Sequence, residues 1–151
     1  MAIPTLHIPQ PLFDELRAHG EETYPHECCG ILLGKSTDDA LTVHQLIRAG
    51  NTRTDSAHNR YNIAPQELIA AQRQARKSGL DIVGFYHSPP DHPAQWSPTD
   101  FAEAHWFGCA YVITAVAGDK TNGTAQTTNS FLLTGTTEDD KAFTNQPVEI
   151  I

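Results

Sequence analysis

Apolar and polar residues alternate in blocks that predict helices and strands in turn along the chain. The clearest helix begins at Pro65, a residue that suits the first turn of a helix, and ends before Gly79. Three of its apolar side chains are predicted to face the core: Leu68, Ile69 and Ala75. Two further helices are predicted, over residues 11–22 and 97–105, because each begins near a proline and has capping or amphipathic character.

Runs that are apolar on both faces predict central strands of a sheet. Residues 28–33 form the first such run, followed by a turn at 34–39 and a hairpin partner at 41–47. Other strands are predicted at 5–8, 80–86, 109–117, 129–134 and 147–151, and the polar segment 51–62 is predicted to be a loop. This order of elements indicates a single α/β domain over residues 1–151, with a mixed β-sheet and about three helices packed against it.

Composition narrows the range of partners. Ten basic against 18 acidic residues give a net charge of -8, which repels nucleic-acid phosphates and anionic lipid headgroups. No signal peptide and no transmembrane span is predicted, because the N-terminal residues have neither a basic start nor an apolar run. The three cysteines are an odd number, and two are adjacent in an apolar run, so a reducing cytoplasm is predicted.

Four polar residues stand where predicted strands and helices meet loops. His87 closes one buried strand and Glu27 precedes another, which are positions where α/β proteins commonly place reactive groups. Each also has a structural interpretation, since a histidine can bond a backbone carbonyl and an acid at a strand mouth is usually solvated. Ser97 and Asp100 form a Ser-x-x-Asp helix-capping pattern with Pro98 at the first helical position. Taken singly, none of them predicts an activity.

Their combined order and spacing resemble the JAMM (MPN-type) metallopeptidase family. The matching elements are Pro25-x-Glu27-x-Cys29-Gly30-x-Leu32-x-Gly34, a helix, Gly84-x-x-His87-Ser88-x-Pro90 and Ser97-x-x-Asp100. The resemblance extends over most of the chain, residues 6–116, and four separated elements in register rarely coincide by chance. It implies a cytidine-deaminase-like fold of the compact prokaryotic type.

The resemblance also implies a zinc centre and a substrate. In that family two histidines of a His-x-His pair and an aspartate hold zinc, and water takes the fourth position; such a metal lowers the pKa of its water to about 7. By position, His87 and Asp100 would be metal ligands, Glu27 the general base and Ser97 a donor to the oxyanion. The implied substrate is the C-terminal tail of a ubiquitin-like or sulfur-carrier protein, entering as an extended strand against a sheet edge.

The pattern breaks at position 89, where the second histidine is replaced by Pro89. Proline cannot bind zinc, so His87 and Asp100 alone predict weak metal binding. Three alternatives remain open. His92 could replace the missing ligand, although three extended residues span about 9 Å and the backbone would have to fold back across Pro90. Otherwise the chain is a metal-free binding or homodimerisation module, or an intact active-site frame with one altered residue.

Other chemistry fits the sequence less well. Cys28 and Cys29 lie in an apolar run, which predicts buried thiols with raised pKa values rather than a nucleophile. The zinc-deaminase pattern and a Gly-rich phosphate loop are both absent from the sequence. Trp96 and Trp106 bracket the predicted site, as groove walls or as core residues. Asp91 is placed where it could accept a hydrogen bond from a ligand imidazole.

Overall fold

One mixed sheet runs through the part of the chain that the computed structural model describes, residues 3–51 and 61–151. Its strands are β1 (Thr5–Ile8), β2 (Cys29–Ser36), β3 (Ala40–Ala49), β4 (Asp81–His87), β5 (Ala110–Gly118), β6 (Gly123–Thr134), β7 (Ala142–Gln146) and β8 (Val148–Ile150). The helices are α1 (Gln10–Thr23), α2 (Pro65–Lys77) and α3 (Pro98–Glu103). The strand order is β7-β6-β5-β4-β2-β3-β1-β8. The predicted α/β class with a mixed sheet and three helices is therefore confirmed.

Most predicted elements are present, with three differences in the strands. β2 continues through Gly34 to Ser36, so the turn predicted at 34–39 is wrong at its start. A Cβ at Gly34 would lie 1.8 Å from the Thr42 carbonyl oxygen, so the glycine serves the close approach of two strands at a bulge rather than a turn. β6 begins at Gly123, before the predicted start, and β7 was not predicted at all because both segments are polar and half exposed.

The inward face of α2 differs from the prediction at one position. Leu68 packs against the core and Ala75 is buried, as predicted, but Ile69 is 49% exposed. Ala71 is buried instead. At 100° per residue, Leu68, Ala71 and Ala75 lie within one narrow stripe, whereas Ile69 lies about 100° away from Leu68.

The sheet curls until its two ends meet. β7 and β8 stand at opposite ends of the strand order, yet Pro147 alone separates them in sequence. Gln146 joins the two ends: its Oε1 accepts a hydrogen bond from Ser130 Oγ at 2.7 Å, and its Nε2 donates to the Pro4 carbonyl at 2.9 Å. α1 contacts β3, β5 and β6, so the sheet wraps around this helix.

Alternation along the strands divides the core between the two faces of the sheet. Leu32 and Tyr86 pack with Leu16 of α1 on one face. Ile31 and Phe85 pack with Ala71 of α2 on the other. His87 follows Phe85 by two residues in β4, so its side chain shares the face that carries α2 and α3.

Strand pairing also places Glu27, which precedes β2, beside the residues at the end of β4. β2 is antiparallel to β4 with Cys29 opposite His87, so the residues that precede β2 lie beside those that follow β4. The Cys28 backbone N–H donates to Ser88 Oγ at 2.9 Å, which fixes this pairing beyond the strand ends. In the described residues, no helix is both long enough and apolar enough to cross a bilayer. Of the predicted loop at 51–62, residues 52–60 lie outside the described residues, while Asn51 and Ile63 form an antiparallel bridge.

Candidate active site

Residues singled out from the sequence converge on one cavity of about 270 Å³. The cavity lies where β4 ends, beneath the segment that leads to α3. Its lining includes the four candidate catalytic or ligating residues, the substituted position and the candidate replacement ligand: Glu27, His87, Ser97, Asp100, Pro89 and His92. Convergence of an acid from before β2 with groups from after β4 follows from the β2–β4 pairing. The roles of these residues remain predictions.

His87 and Asp100 form the closest pair in the cavity, with His87 Nε2 3.3 Å from Asp100 Oδ2. Burial alone would lower the pKa of His87, but the hydrogen bond and charge of Asp100, with the charge of Glu27, outweigh it and raise that pKa. Burial tends to raise the pKa of Asp100, but the hydrogen bond and charge of His87 and bonds from Ser97 lower it overall. Each of the two groups therefore favours the charged form of the other.

The His87–Asp100 distance also suits a shared metal ion. Two ligands at about 2.0–2.1 Å from a tetrahedral zinc lie roughly 3.3 Å apart, by trigonometry from the usual bond lengths. An imidazole nitrogen and a carboxylate oxygen are both common zinc ligands. These two donors thus fit a tetrahedral cation as they stand.

Asp100 is held in place by the start of α3. The Ser97 backbone N–H donates to Asp100 Oδ2 at 2.8 Å, and the Asp100 backbone N–H donates to Ser97 Oγ at 3.0 Å, which is a complete capping box. The predicted helix start is therefore confirmed. Because Ser97 Oγ accepts this bond, its own hydroxyl proton stays available to a group in the cavity.

Glu27 is the most buried acid of the site, with 4% of the residue exposed. Burial raises its pKa to about 7; the positive charge of His87 opposes this shift, and the negative charge of Asp100 adds to it. A carboxyl group that changes its charge near neutral pH can accept and release a proton under ordinary conditions. A pKa near 7 is compatible with the predicted role of Glu27 as a general base.

The third ligand of a catalytic zinc site is missing from the described residues. Pro89 lines the cavity at the position of the second histidine, and its side chain offers no donor atom. His92 also lines the cavity but is solvent-exposed, and the described residues contain no group of three or more His, Cys, Asp or Glu side chains placed to hold a metal ion. His87 and Asp100 therefore supply two zinc ligands, one fewer than the three protein ligands that a catalytic zinc site uses.

Two aromatic side chains frame the site. Tyr61 stacks on the His87 imidazole, with ring centroids 4.4 Å apart and planes 21° apart, a contact that the sequence analysis missed. Trp96 lines the cavity and is 38% exposed, while its ring packs against Phe101 and Phe143. Trp96 is thus the groove wall of the predicted pair, whereas Trp106 packs against Phe85 in the core. The only sequence signal for Tyr61 is its position shortly before the start of α2.

Asp91 braces the loop instead of contacting a ligand imidazole. Its Oδ2 accepts a hydrogen bond from the Tyr24 hydroxyl at 2.7 Å, and its Oδ1 accepts one from the Gly118 N–H at 2.9 Å. A bond from a ligand imidazole, which the sequence position of Asp91 allows but does not require, is not among these contacts. The brace links the segment before Glu27 to the loop after His87.

Two of the three cysteines, Cys28 and Cys29, follow Glu27 directly in sequence, but their thiols are unsuited to nucleophilic catalysis. Cys28, Cys29 and Cys109 are free and buried. Burial raises the pKa values of Cys28 and Cys29 to about 12. Such thiols remain protonated at neutral pH and are poor nucleophiles, as their apolar sequence context predicted.

Comparison with known proteins gives a consistent picture. The sequence family described as prokaryotic homologs of the JAB domain matches residues 9–130. The desampylase of Haloferax volcanii is 33% identical over 112 residues, which make up 72% of this chain and 78% of that protein. A Thermus thermophilus protein named probable TtuB-protein conjugate cleaving protease is 33% identical over 101 residues, or 67% of this chain and 64% of that protein. The chain thus spans somewhat less than two thirds of this second relative.

A solved structure agrees with the fold. The solution structure of a protein from Salinibacter ruber has 36% sequence identity and a TM-score of 0.70, covering 96% of this chain and 91% of that one. With 96% of this chain covered, the likeness supports the α/β fold described above.

Proposed function

Because the chain belongs to the prokaryotic JAB-domain family, which matches residues 9–130, we propose that it is a JAMM-type peptidase or isopeptidase whose activity is impaired by Pro89. The proposed substrate is the C-terminal tail of a ubiquitin-like or sulfur-carrier protein, joined to another protein. The names of the two curated relatives, a desampylase and a probable conjugate-cleaving protease, support this substrate class. One observation carries the proposal: Glu27, His87, Ser97 and Asp100 line one cavity.

Each of these residues has a proposed role that matches its surroundings. Glu27 takes a proton from the attacking water and passes it to the leaving amine, which its pKa of about 7 permits. Ser97 donates its hydroxyl to the oxyanion, since its oxygen already accepts the Asp100 N–H. His87 and Asp100 are the two ligands present for a zinc ion, which would activate the water and polarise the carbonyl when bound.

The proline at position 89 is the reason to expect reduced peptidase activity. A catalytic zinc site uses three protein ligands, and loss of one should reduce both metal affinity and turnover. His92 remains the replacement ligand to test, although its exposed position and the absence of a three-ligand group in the described residues count against it. The proposed setting is the reducing cytoplasm, in keeping with three free cysteines, and a net charge of -8 argues against nucleic acid or membrane partners.

A second candidate function follows from the same two-donor site. Without metal, His87 and Asp100 form an ion pair, and the domain can bind a protein tail or a second copy of itself without any chemistry. Pro89 favours this candidate because it removes the donor that hydrolysis needs.

Cleavage assays separate the two candidates. The substrate is a ubiquitin-like protein joined through its terminal carboxyl to a lysine of a carrier protein, and the variants are the parent chain, Pro89→His and Pro93→His. Pro93 also lines the cavity, so Pro93→His adds a histidine without restoring the pattern. Hydrolysis gained only in Pro89→His with added zinc supports the impaired peptidase. Substrate binding without cleavage in every variant supports the binding module.

A further inference from the structure

The loop that follows β4 is bonded to a central strand of the sheet. The Pro89 carbonyl accepts the Val116 N–H at 3.4 Å, and the Asp91 N–H donates to the Val116 carbonyl at 2.7 Å. Pro90 thereby forms a parallel bridge with β5, which lies between β4 and β6 in the sheet. The backbone at position 89 is therefore tied to the sheet.

Asp91 ends this bridge in an uncommon backbone conformation. Its φ is 57°, in the left-handed region that aspartate adopts more readily than most residues. Its Oδ1 accepts the Gly118 N–H at 2.9 Å, and its Oδ2 accepts the Tyr24 hydroxyl at 2.7 Å. Bonds to an ionised carboxylate are stronger than bonds between neutral groups. The side chain of Asp91 thus stabilises a conformation that the backbone alone disfavours.

Tyr24 is fixed at both its ring and its hydroxyl group. The residue is 5% exposed, and a Cβ at Gly123 would lie 2.6 Å from its ring, so the glycine permits close packing against the start of β6. Its hydroxyl oxygen also accepts the Lys120 N–H at 3.0 Å. Tyr24 follows α1 directly and precedes Glu27 by three residues. The bond to Asp91 therefore connects a rigid part of the general base's segment to the loop.

This bond is the second of two that join the same two chain segments. In the first, the Cys28 N–H donates to Ser88 Oγ at 2.9 Å. Glu27 lies between Tyr24 and Cys28 in sequence, and the substituted position lies between Ser88 and Asp91. One bond would let the segments pivot about it, whereas two bonds on either side of the functional positions prevent this. Metal ligands need such control, because their distances to the metal vary by only about 0.2 Å.

We propose that Tyr24 and Asp91 are positioning residues that hold position 89 at a fixed distance and direction from Glu27. Treating position 89 as a ligand position and Glu27 as the general base rests on the proposed function. Tyr24 and Asp91 are not among the described residues that line the cavity. They act through the backbone of the two segments that they join.

Amide hydrogen exchange tests the positioning role in the parent chain, with a chelator present and without any cleavage. Tyr24→Phe removes one oxygen atom and keeps the ring. The control is Tyr111→Phe, since Tyr111 is 6% exposed and its hydroxyl accepts the Trp106 N–H at 3.2 Å, away from the loop. We expect exchange about tenfold faster at the Asp91 and Gly118 amides in Tyr24→Phe only. Parental exchange rates at both amides would overturn the inference.

Zinc affinity supplies a readout that a general loss of stability would not move. In the Pro89→His background, Tyr24→Phe should weaken zinc binding about tenfold, and Tyr111→Phe should leave it unchanged. Asp91→Asn should bind zinc more tightly than Asp91→Ala, because asparagine tolerates the left-handed conformation and keeps an acceptor for the Gly118 N–H. Equal zinc affinities of the two tyrosine variants would contradict the inference. Absence of zinc from Pro89→His itself would refute the metal site of the proposed function, while hydrogen exchange would still decide the positioning role.

Discussion

Replacing Glu27 by glutamine tests the electrostatic description of the site. The residue is 4% exposed, and burial, the largest cause, raises its pKa from 4.5 to about 7. Glutamine has nearly the same shape and is neutral at every pH. The Glu27→Gln variant therefore removes the cost of a buried charge and should be more stable than the parent protein at neutral pH.

The size and the sign of this stability difference follow from the linkage between proton binding and folding. Between pH 4.5 and about 7 the folded protein holds a proton on Glu27 that the unfolded chain releases, so the folded state binds more protons and loses stability as pH rises. A shift of 2.5 pKa units at 1.36 kcal/mol per unit amounts to roughly 3 kcal/mol. The difference in unfolding free energy between Glu27→Gln and the parent should grow by about that amount from pH 4.5 to pH 7.5 and then level off.

Urea denaturation at several pH values measures this difference, with a chelator present to exclude metal ions. The control is Glu149→Gln, which removes a carboxylate whose side chain is 64% exposed and which therefore carries no cost of a buried charge. A stability difference for Glu27→Gln that does not change with pH would refute the reasoning, because it would mean that Glu27 is solvated in the folded protein.

Two further predictions concern the supports of the site. Lys141 is 5% exposed and donates to the Phe101 carbonyl at the end of α3 at 2.8 Å, so Lys141→Met should cost about 1–3 kcal/mol and lower the Tm by several degrees. The exposed Lys35→Met serves as control, and equal melting temperatures for the two variants would contradict the anchoring role. A Cβ at Gly30 would lie 2.0 Å from the Tyr86 ring, so Gly30→Ala should cost about 1–3 kcal/mol by overpacking. An unchanged urea midpoint for Gly30→Ala would show that the ring has room to move.

Local sequence patterns predicted the elements that position the site. Apolar runs identified β2, β4 and β5, and Ser97 with Pro98 and Asp100 identified the start of α3, because capping depends on neighbouring residues alone. The convergence of Glu27 with His87 was reached only through the family resemblance. The structure supplies its physical reason, the antiparallel pairing of β2 with β4.

Contacts between residues that are far apart in the chain could not be predicted from the sequence. Tyr61 stacks on a ring 26 positions further along the chain, and nothing near Tyr61 indicates that contact. The acceptor bonds of Asp91 come from Tyr24 and Gly118, which only the folded chain brings together. β7 has a polar sequence, and its place in the sheet is decided by its pairing with β6.

Zinc stoichiometry tests the central claim most directly: that the cavity is a zinc site one ligand short. The parent chain, Pro89→His and the control Pro93→His are loaded with zinc, dialysed and measured by elemental analysis, together with Pro89→His combined with His87→Ala. The account predicts about one zinc per chain in Pro89→His, and far less in the parent, in Pro93→His and in the combined variant. One zinc per parent chain that is lost on His92→Ala would instead identify His92 as the third ligand. Absence of zinc from Pro89→His would contradict the claim that His87 and Asp100 form part of a metal site.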